Sequence, residues 1–297
     1  MAFTVVLWGN AFVAIRIGLV ELSPLGLTLL RFLLASVSFL LVFLLTLRRV
    51  PLPRKSDLLP LVLMAILGGA GYHLLLNIGE QSVTAGSASL IIGATPIFTA
   101  LWTPLFFRER LGFWQGIGIL VAFGGLFLVS WKGSQGLGTS NWLGILAVLG
   151  AMLGWSFYPF LSRPLVARRG PLFVSAYTQF LALPLLLPWE GVGFYRSLPT
   201  LSPLVWGSVI FLALFCTVLG YIVFNRSLQV LGATATSSYL YLPPVVAVFF
   251  GWLLLGEPIN IFLLFGAALV IGGVVLVNAA ASRPAAKTES ANQNLSR

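Results

Sequence analysis

The sequence predicts an all-α integral membrane protein with ten transmembrane helices, arranged as two five-helix repeats of inverted topology. Three observations predict it. Hydrophobic residues make up 59% of the 297 and charged residues only 8%, at a mean hydropathy of +1.01; so few polar groups cannot coat a water-soluble globule of this size. Many apolar stretches approach the ~20 residues that a bilayer-spanning helix needs. Finally, the stretch from Thr84 to Leu111 recurs from Gly232 onward, pairing Ala85 with Ala233, Ser89 with Ser237, Pro96 with Pro244 and Glu109 with Glu257 at a constant offset of 148 residues.

Breaking the chain at Pro, Gly and charge clusters places the helices at 3–20, 25–47, 58–78, 84–107, 113–130, 142–161, 172–187, 204–228, 234–255 and 259–277. The first has no basic residue ahead of it and carries Trp8, Asn10 and Arg16, so it reads as a spanning helix, not a cleaved signal. The second holds Arg31, matched at the same offset by Gln179 of the seventh. Pro96 sits near the middle of the fourth helix and Pro243–Pro244 near the middle of the ninth. A proline there removes a backbone donor and frees a carbonyl, which in lipid must face protein or a wet cavity. In the fifth and tenth, Gly124–Gly125, Gly272–Gly273 and the Gly112-x-x-x-Gly116 spacing allow close backbone approach. Residues 1–131 form the first repeat and 141–278 the second; 279–297 are expected to be a disordered cytoplasmic tail.

Positive charge sets the orientation. With the N-terminus inside, the inner connections and tail carry Arg48, Arg49, Arg54, Lys55, Arg108, Arg110, Arg168, Arg169, Arg226, Arg283, Lys287 and Arg297, and the outer ones only Lys132 and Arg196. Both termini are then cytoplasmic, in a bacterial inner membrane. Because five helices per repeat is odd, the second repeat enters the membrane upside down, the architecture of secondary transporters. The net charge of +10 is explained by this topology; no basic face interleaved with aromatics points to nucleic acid. Cys216 reads as a small packing residue.

Several polar and aromatic side chains lie inside spans. His73, Asn77 and Gln81 of the third helix, and Tyr221, Asn225 and Gln229 of the eighth, each repeat at i, i+4, i+8 and form one stripe. Either these stripes line the two vestibules, or Asn and Gln cap helix ends. Trp8, Tyr72, Trp155, Tyr158, Tyr239 and Tyr241 lie away from the interfaces that Trp and Tyr favour. Their polar tips need partners, so with Asn10 they suit a cavity for a substrate having an apolar part and hydrogen-bonding ends. Core packing is the alternative for any one of them. Arg16 and Arg163 can snorkel from helix ends, and Arg31 either binds a carboxylate or holds backbone groups. The acidic residues fall in connections, at helix ends or in the tail, so a carboxylate proton relay is not expected; His73 is the one interior group that titrates near neutrality.

Four segments carry a family resemblance: WGNAFVAIRIGL at the start, LRFLLA in the second helix, the Pro96 helix ending in FFRERL, and LPPVVAVFFGWLLLGEPI in the second half. With these the chain resembles the drug/metabolite transporter superfamily and, within it, the EamA-type exporters with ten helices, similar to its aromatic amino-acid exporters. The resemblance implies export of small metabolites, often amino acids, through a cavity lined by helices one, three, four, six, eight and nine.

The expected substrate is thus a small molecule, a neutral or aromatic amino acid, moved by alternating access with gating at Pro96, Pro243 and Pro244. Partners are the substrate and the lipid bilayer, with the protein a monomer or weak dimer, and no cofactor or metal is expected. The alternatives are a drug or other metabolite transporter of the same fold, a channel, and an intramembrane enzyme. The enzyme lacks sequence support: there is no His-Glu-x-x-His motif, no paired interior aspartate and no nucleophile motif with a partner histidine.

Overall fold

A computed structural model describes residues 2–46, 51–107, 112–129, 142–238 and 242–281, with no strand among them. Five helical runs are long and apolar enough to cross a membrane: Pro24–Thr46, Lys55–Glu80, Trp142–Arg169, Pro171–Trp189 and Pro203–Val230. Five shorter apolar helices accompany them: Phe3–Gly18, Ala85–Thr99, Phe113–Leu128, Pro243–Leu255 and Ile261–Val277. Leu45, Leu120, Leu143 and Leu254 are among many large apolar side chains that stand exposed, an arrangement suited to lipid and not to water. The chain is a multi-pass membrane protein.

In order, the α-helices are α1 (Ala2–Gly18), α2 (Pro24–Thr46), α3 (Lys55–Met64), α4 (Gly71–Glu80), α5 (Ala85–Gly93), α6 (Thr95–Phe107), α7 (Phe113–Leu128), α8 (Trp142–Ser156), α9 (Tyr158–Arg169), α10 (Pro171–Leu186), α11 (Val192–Ser197), α12 (Pro203–Ile210), α13 (Gly220–Ser238), α14 (Pro243–Leu255) and α15 (Ile261–Ala281). Two wide π-helical stretches interrupt long runs, Ala65–Ala70 between α3 and α4 and Phe211–Leu219 between α12 and α13. They overlap at the repeat offset, and Gly69 in the first leaves helical geometry at φ −102°, ψ −106°.

The remaining breaks follow prolines. The expected fourth helix divides at Ala94 into α5 and α6 because Pro96 has no N–H to offer the Ile92 carbonyl. The Thr95 hydroxyl donates to that carbonyl instead, at 2.5 Å. Likewise α8 and α9 meet at Phe157, just ahead of Pro159. The expectation for Pro243 and Pro244 is corrected: they form the first turn of α14 and do not kink the middle of a helix. N–H groups of a first turn lack helical partners anyway, so proline fits there. Residues 234–238 finish α13, while 239–241 lie outside the described residues, as do 108–111, 130–141 and 282–297. At the C-terminal end α15 runs on through Ala279–Ala281, strong helix formers that the sequence reading had given to the tail.

Charged contacts gather at two faces. At one, Asp57 near the start of α3 pairs with Arg169 at 2.6 Å and Arg168 at 3.6 Å from the end of α9, and caps its own helix by accepting from the Arg54 N–H at 3.0 Å. At the other, Glu257 accepts from the N–H groups of Ala85 at 2.9 Å and Gly86 at 3.4 Å. The repeated glutamate thus has a physical task in its second copy, which is to cap the N-terminus of α5 from the chain that follows α14.

Helices α7 and α15 pack backbone to backbone. A Cβ on Gly118 would meet the Gly273 carbonyl oxygen at 2.7 Å and one on Gly273 the Gly118 oxygen at 2.5 Å; Gly125 and Gly266 block one another similarly, at 2.7 and 3.1 Å. Glycine is therefore required at all four positions. Gly116, Gly124 and Gly272 have nothing within 4 Å, so the Gly112-x-x-x-Gly116 spacing plays no part in this contact.

Candidate functional site

The breaks meet at one cavity. Trp8 of α1, Tyr72 and His73 of α4, Trp155 of α8 and Tyr221 of α13 line it, and Arg31 of α2, Ser89 of α5, Thr95 of α6 and the Pro243–Pro244 turn complete the wall. Its volume is about 70 Å³, well below the ~300–1,000 Å³ of sites for drug-sized ligands. Trp155 is the hub. Its ring centroid lies 6.2 Å from Trp8 and 5.4 Å from Tyr221, both edge-on, 5.1 Å from Tyr72, and 4.6 Å from Tyr158 in a stack.

The π-helical stretches explain how the aromatic tips are satisfied. Widening a helix shifts its hydrogen-bond ladder and leaves carbonyls that need other donors. The Gly68 carbonyl accepts from the Tyr221 hydroxyl at 3.1 Å, and the Cys216 carbonyl from the Trp8 indole at 2.9 Å. Gly68 and Cys216 occupy equivalent places in the two repeats. The Tyr221 hydroxyl spends its single hydrogen on Gly68, so the Nε2–H of His73, 3.1 Å away, is assigned as donor to Tyr221. The Nδ1 of His73 is then a bare acceptor with no partner among the described residues.

Arg31 is the charged member of the wall. It is 3% exposed, and its Nε donates to Thr217 Oγ1 at 2.7 Å, while that hydroxyl donates to the Leu212 carbonyl at 2.9 Å. Among the described residues no other group accepts from its guanidinium, and the ion pairs belong to Arg16, Arg168 and Arg169. A buried guanidinium without a carboxylate is costly, and here it borders a cavity whose remaining wall is neutral. The arrangement has the chemistry of an anion seat beside an aromatic box.

Of the expected site residues, Trp8, Tyr72, His73, Trp155, Tyr221, Pro243 and Pro244 come together at the cavity. Tyr158 stands behind Trp155, 1% exposed, its hydroxyl accepting from Asn225 Nδ2 at 3.1 Å. Asn77 is buried against α2, its Nδ2 donating to Thr28 Oγ1 at 2.9 Å and to the Pro24 carbonyl at 3.3 Å. Asn10 bonds to the Val6 carbonyl of its own helix and lines a separate apolar groove with Pro203 and Phe211. Pro96 is buried beside the break, one residue from the lining Thr95. Tyr239 and Tyr241 lie outside the described residues.

Arg16 does not snorkel: its Nη1 donates to the Glu80 carbonyl at 2.6 Å and its Nε lies 3.7 Å from Glu257. Glu80, one of the acidic residues expected at helix ends, closes α4 fully buried. The match of Arg31 with Gln179 rests on the offset of 148. Equivalent bonds in the two repeats, Asn77 to Thr28 and Asn225 to Ser175 at 2.9 Å, instead favour an offset of 147 through the second helix, and this sets Arg31 opposite Thr178. Trp8 and Trp155 also stand 147 residues apart, so the sequence carries the same one-residue slip.

Comparison with known proteins bears on this cavity. The model of the EamA-like transporter family matches residues 1–131 and again 142–279. An uncharacterized transporter of Bacillus subtilis (strain 168), YdfC, is 34% identical over 90% of this chain and 86% of its own. A probable terminal-alkyne amino-acid exporter of Streptantibioticus cattleyicolor is 34% identical over 94% of this chain and 92% of its own. A solved structure described only as a crystal structure of a protein superposes with a TM-score of 0.63 over 93% of this chain and 94% of that one; at 19% identity it speaks for the fold alone. With a family model matching both segments and relatives of like length, the chain is a membrane transporter and not an enzyme, and it belongs to the EamA-like transporter family.

Proposed function

We propose that the protein exports neutral or aromatic amino acids from the bacterial cytoplasm across the inner membrane, as a secondary transporter working by alternating access. The observation that carries the substrate class is Arg31: a guanidinium with no carboxylate partner at the edge of a small aromatic cavity is the complement of an α-carboxylate. The bare Nδ1 of His73 offers an acceptor to the ammonium group, and the rings around Trp155 offer an apolar wall to the side chain. The printed name of the S. cattleyicolor relative, an amino-acid exporter, agrees with this reading.

The mechanism rests on ten spanning helices in two inverted halves. Supporting it, His73 and Tyr221 stand 148 residues apart and touch each other, as equivalent residues do when they flank a two-fold axis. The glycine contacts Gly118 to Gly273 and Gly125 to Gly266 exchange into one another under the same offset. Because the ion pairs of Asp57 bring the Arg54–Lys55 and Arg168–Arg169 connections to one face, the positive-inside rule makes that face cytoplasmic. The break at Pro96, between α5 and α6, and the Pro243–Pro244 turn that opens α14 are then the gating points.

Purified protein in proteoliposomes should take up labelled phenylalanine or leucine, and phenethylamine, which lacks the carboxylate, should neither be taken up nor compete. Equal transport of phenethylamine and phenylalanine would overturn the amino-acid reading in favour of a drug or general metabolite transporter.

A further inference from the structure

Glu80 is 0% exposed, and neither of its carboxylate oxygens has a hydrogen-bond partner among the described residues. An ionised carboxylate without a donor is among the costliest groups a protein can bury; a neutral carboxylic acid is far less so. The nearest cation is already attached to the same residue by another route. Arg16 Nη1 holds the Glu80 backbone carbonyl at 2.6 Å while its Nε stands 3.7 Å from Glu257, and Glu257 caps α5 through Ala85 and Gly86. Arg16 thus stands between Glu257 and the residue that carries the unpartnered carboxylate. The charged groups that reach Glu80 are Arg16 of α1, Glu257 beyond α14 and Arg31 of α2; α5 and α8, which also pack on α4, carry no titratable side chain.

We propose that Glu80 is a proton-binding site that couples substrate export to proton entry, an inference that rests on the transporter reading and orientation given above. With Glu80 protonated, Arg16 stays with Glu257 and the outer ends of α1, α5 and α14 are latched together, as the structure has them. When the Glu80 O–H bond breaks and its proton passes to cytoplasmic water, the new carboxylate draws Arg16 away from Glu257. The cap on α5 loosens and the outer side opens for substrate release. A proton taken from the external water re-forms the acid, returns Arg16 to Glu257 and closes the latch. One proton enters for each outward passage.

The test reads the latch directly. Ser89 lines the cavity and is 1% exposed, so Ser89→Cys in intact cells reports outer opening to a membrane-impermeant thiol reagent, with the parent's buried Cys216 as blank. Labelling, normalised at each pH to that of the same cysteine in denatured protein so that the thiol's own ionisation cancels, should rise at least ~10-fold as external and internal pH are raised together from about pH 5 to about pH 9. Added Glu80→Gln should hold it low throughout, and Glu80→Asp should restore a pH-dependent rise with a displaced midpoint. In proteoliposomes a pH gradient should drive phenylalanine accumulation by the parent and the Asp variant but not the Gln variant. Labelling that is flat with pH in the parent overturns the proposal, as does a pH-dependent rise that persists in Glu80→Gln. If labelling follows pH and Glu80 but phenylalanine is not moved, the substrate reading fails and the proton site stands; if phenylalanine moves equally with and without the gradient, the reverse holds.

Discussion

The run from α3 to α4 and the run from α12 to α13 occupy equivalent places in the two repeats, and their backbones are treated alike. Each has a π-helical stretch, each offers a carbonyl (Gly68, Cys216) to an aromatic donor, and each sends an asparagine to a hydroxyl on an earlier helix (Thr28 of α2, Ser175 of α10). Their charges are not alike. Arg31 and Glu80 belong to the first repeat, and the second has Thr178 and Leu228 in their places. Hydrogen bonding at these positions is thus shared between the two halves of the sequence while the ionisable side chains are not, which is what the proposed roles of Arg31 and Glu80 require: one substrate and one proton need a single set of charges.

The largest effect that tests this division is at Arg31. Arg31→Gln should raise the KM for phenylalanine by at least ~30-fold, since losing one partner of a buried charge pair is worth ~2–5 kcal/mol; Arg31→Lys should recover part of it. Gln179 is the contrast from the second repeat. It is 0% exposed with both amide atoms unpartnered among the described residues, and replacing an unsatisfied amide by an apolar group is near neutral or stabilising. Gln179→Leu should leave uptake within ~2-fold and raise the melting temperature in detergent. Equal losses in the two variants would break the comparison.

Next comes the pair of tryptophans. Trp155 touches Trp8, Tyr72, Tyr158 and Tyr221, whereas Trp8 has an indole N–H committed to the Cys216 carbonyl. Trp155→Phe should raise the KM for phenylalanine by roughly 10-fold with little change in folded yield, as a lost aromatic contact is worth ~0.5–1.5 kcal/mol. Trp8→Phe, which removes a hydrogen bond from a π-helical carbonyl, should lower stability more than affinity. Uptake kinetics and thermal melting of the same preparations separate the two.

What the sequence made legible, and what it hid, follows the same line. Apolar runs, prolines and the repeat are written in composition and spacing, so the helices, the break at Ala94 and the gathering of Trp8, Tyr72, His73, Trp155 and Tyr221 were all readable. The π-helical stretches were not, because AILGGA and FLALFCTVL share no signature; the widening comes from donors elsewhere in the fold. The roles suggested for Arg31 and Glu80 were equally hidden, since what marks them is a missing partner, and that depends on which helices meet. Asn10 misled because a polar residue in a span bonds its own helix as readily as it lines a cavity.

Between α7 and α15 the comparison is of one glycine with its neighbour. Gly118→Ala forces a Cβ to within 2.7 Å of the Gly273 carbonyl oxygen, and overpacking of this kind costs about 1–3 kcal/mol. Gly266→Ala, the equivalent in the other repeat, meets the Gly125 oxygen at 3.1 Å and Val129 Cγ2 at 2.5 Å and should cost a similar amount. Gly124→Ala enters open space and should be neutral or stabilising, because alanine favours the helix by ~1 kcal/mol over glycine. Melting of the three variants in detergent distinguishes a two-fold interface from a merely close one.

The smallest expected effect is the sharpest probe of equivalence. Thr28→Val removes the hydroxyl to which Asn77 donates, leaving Asn77 the Pro24 carbonyl at 3.3 Å; Ser175→Ala removes the partner of Asn225, leaving it the Tyr158 hydroxyl at 3.1 Å. The Oδ1 of each asparagine, unpartnered among the described residues, only accepts and cannot stand in for the acceptor that Nδ2 loses. Each substitution should therefore lower stability by ~0.5–1.5 kcal/mol, the net worth of one hydrogen bond, and by the same amount within ~0.5 kcal/mol. These sites lie behind the cavity wall, so the KM for phenylalanine should stay within ~2-fold of the parent. Matching losses of stability with unchanged KM are what duplicated scaffold requires. A loss confined to one variant, or a KM change in either, would show that the asparagines have joined the divergent chemistry and that the two-fold scaffold ends at the π-helical stretches.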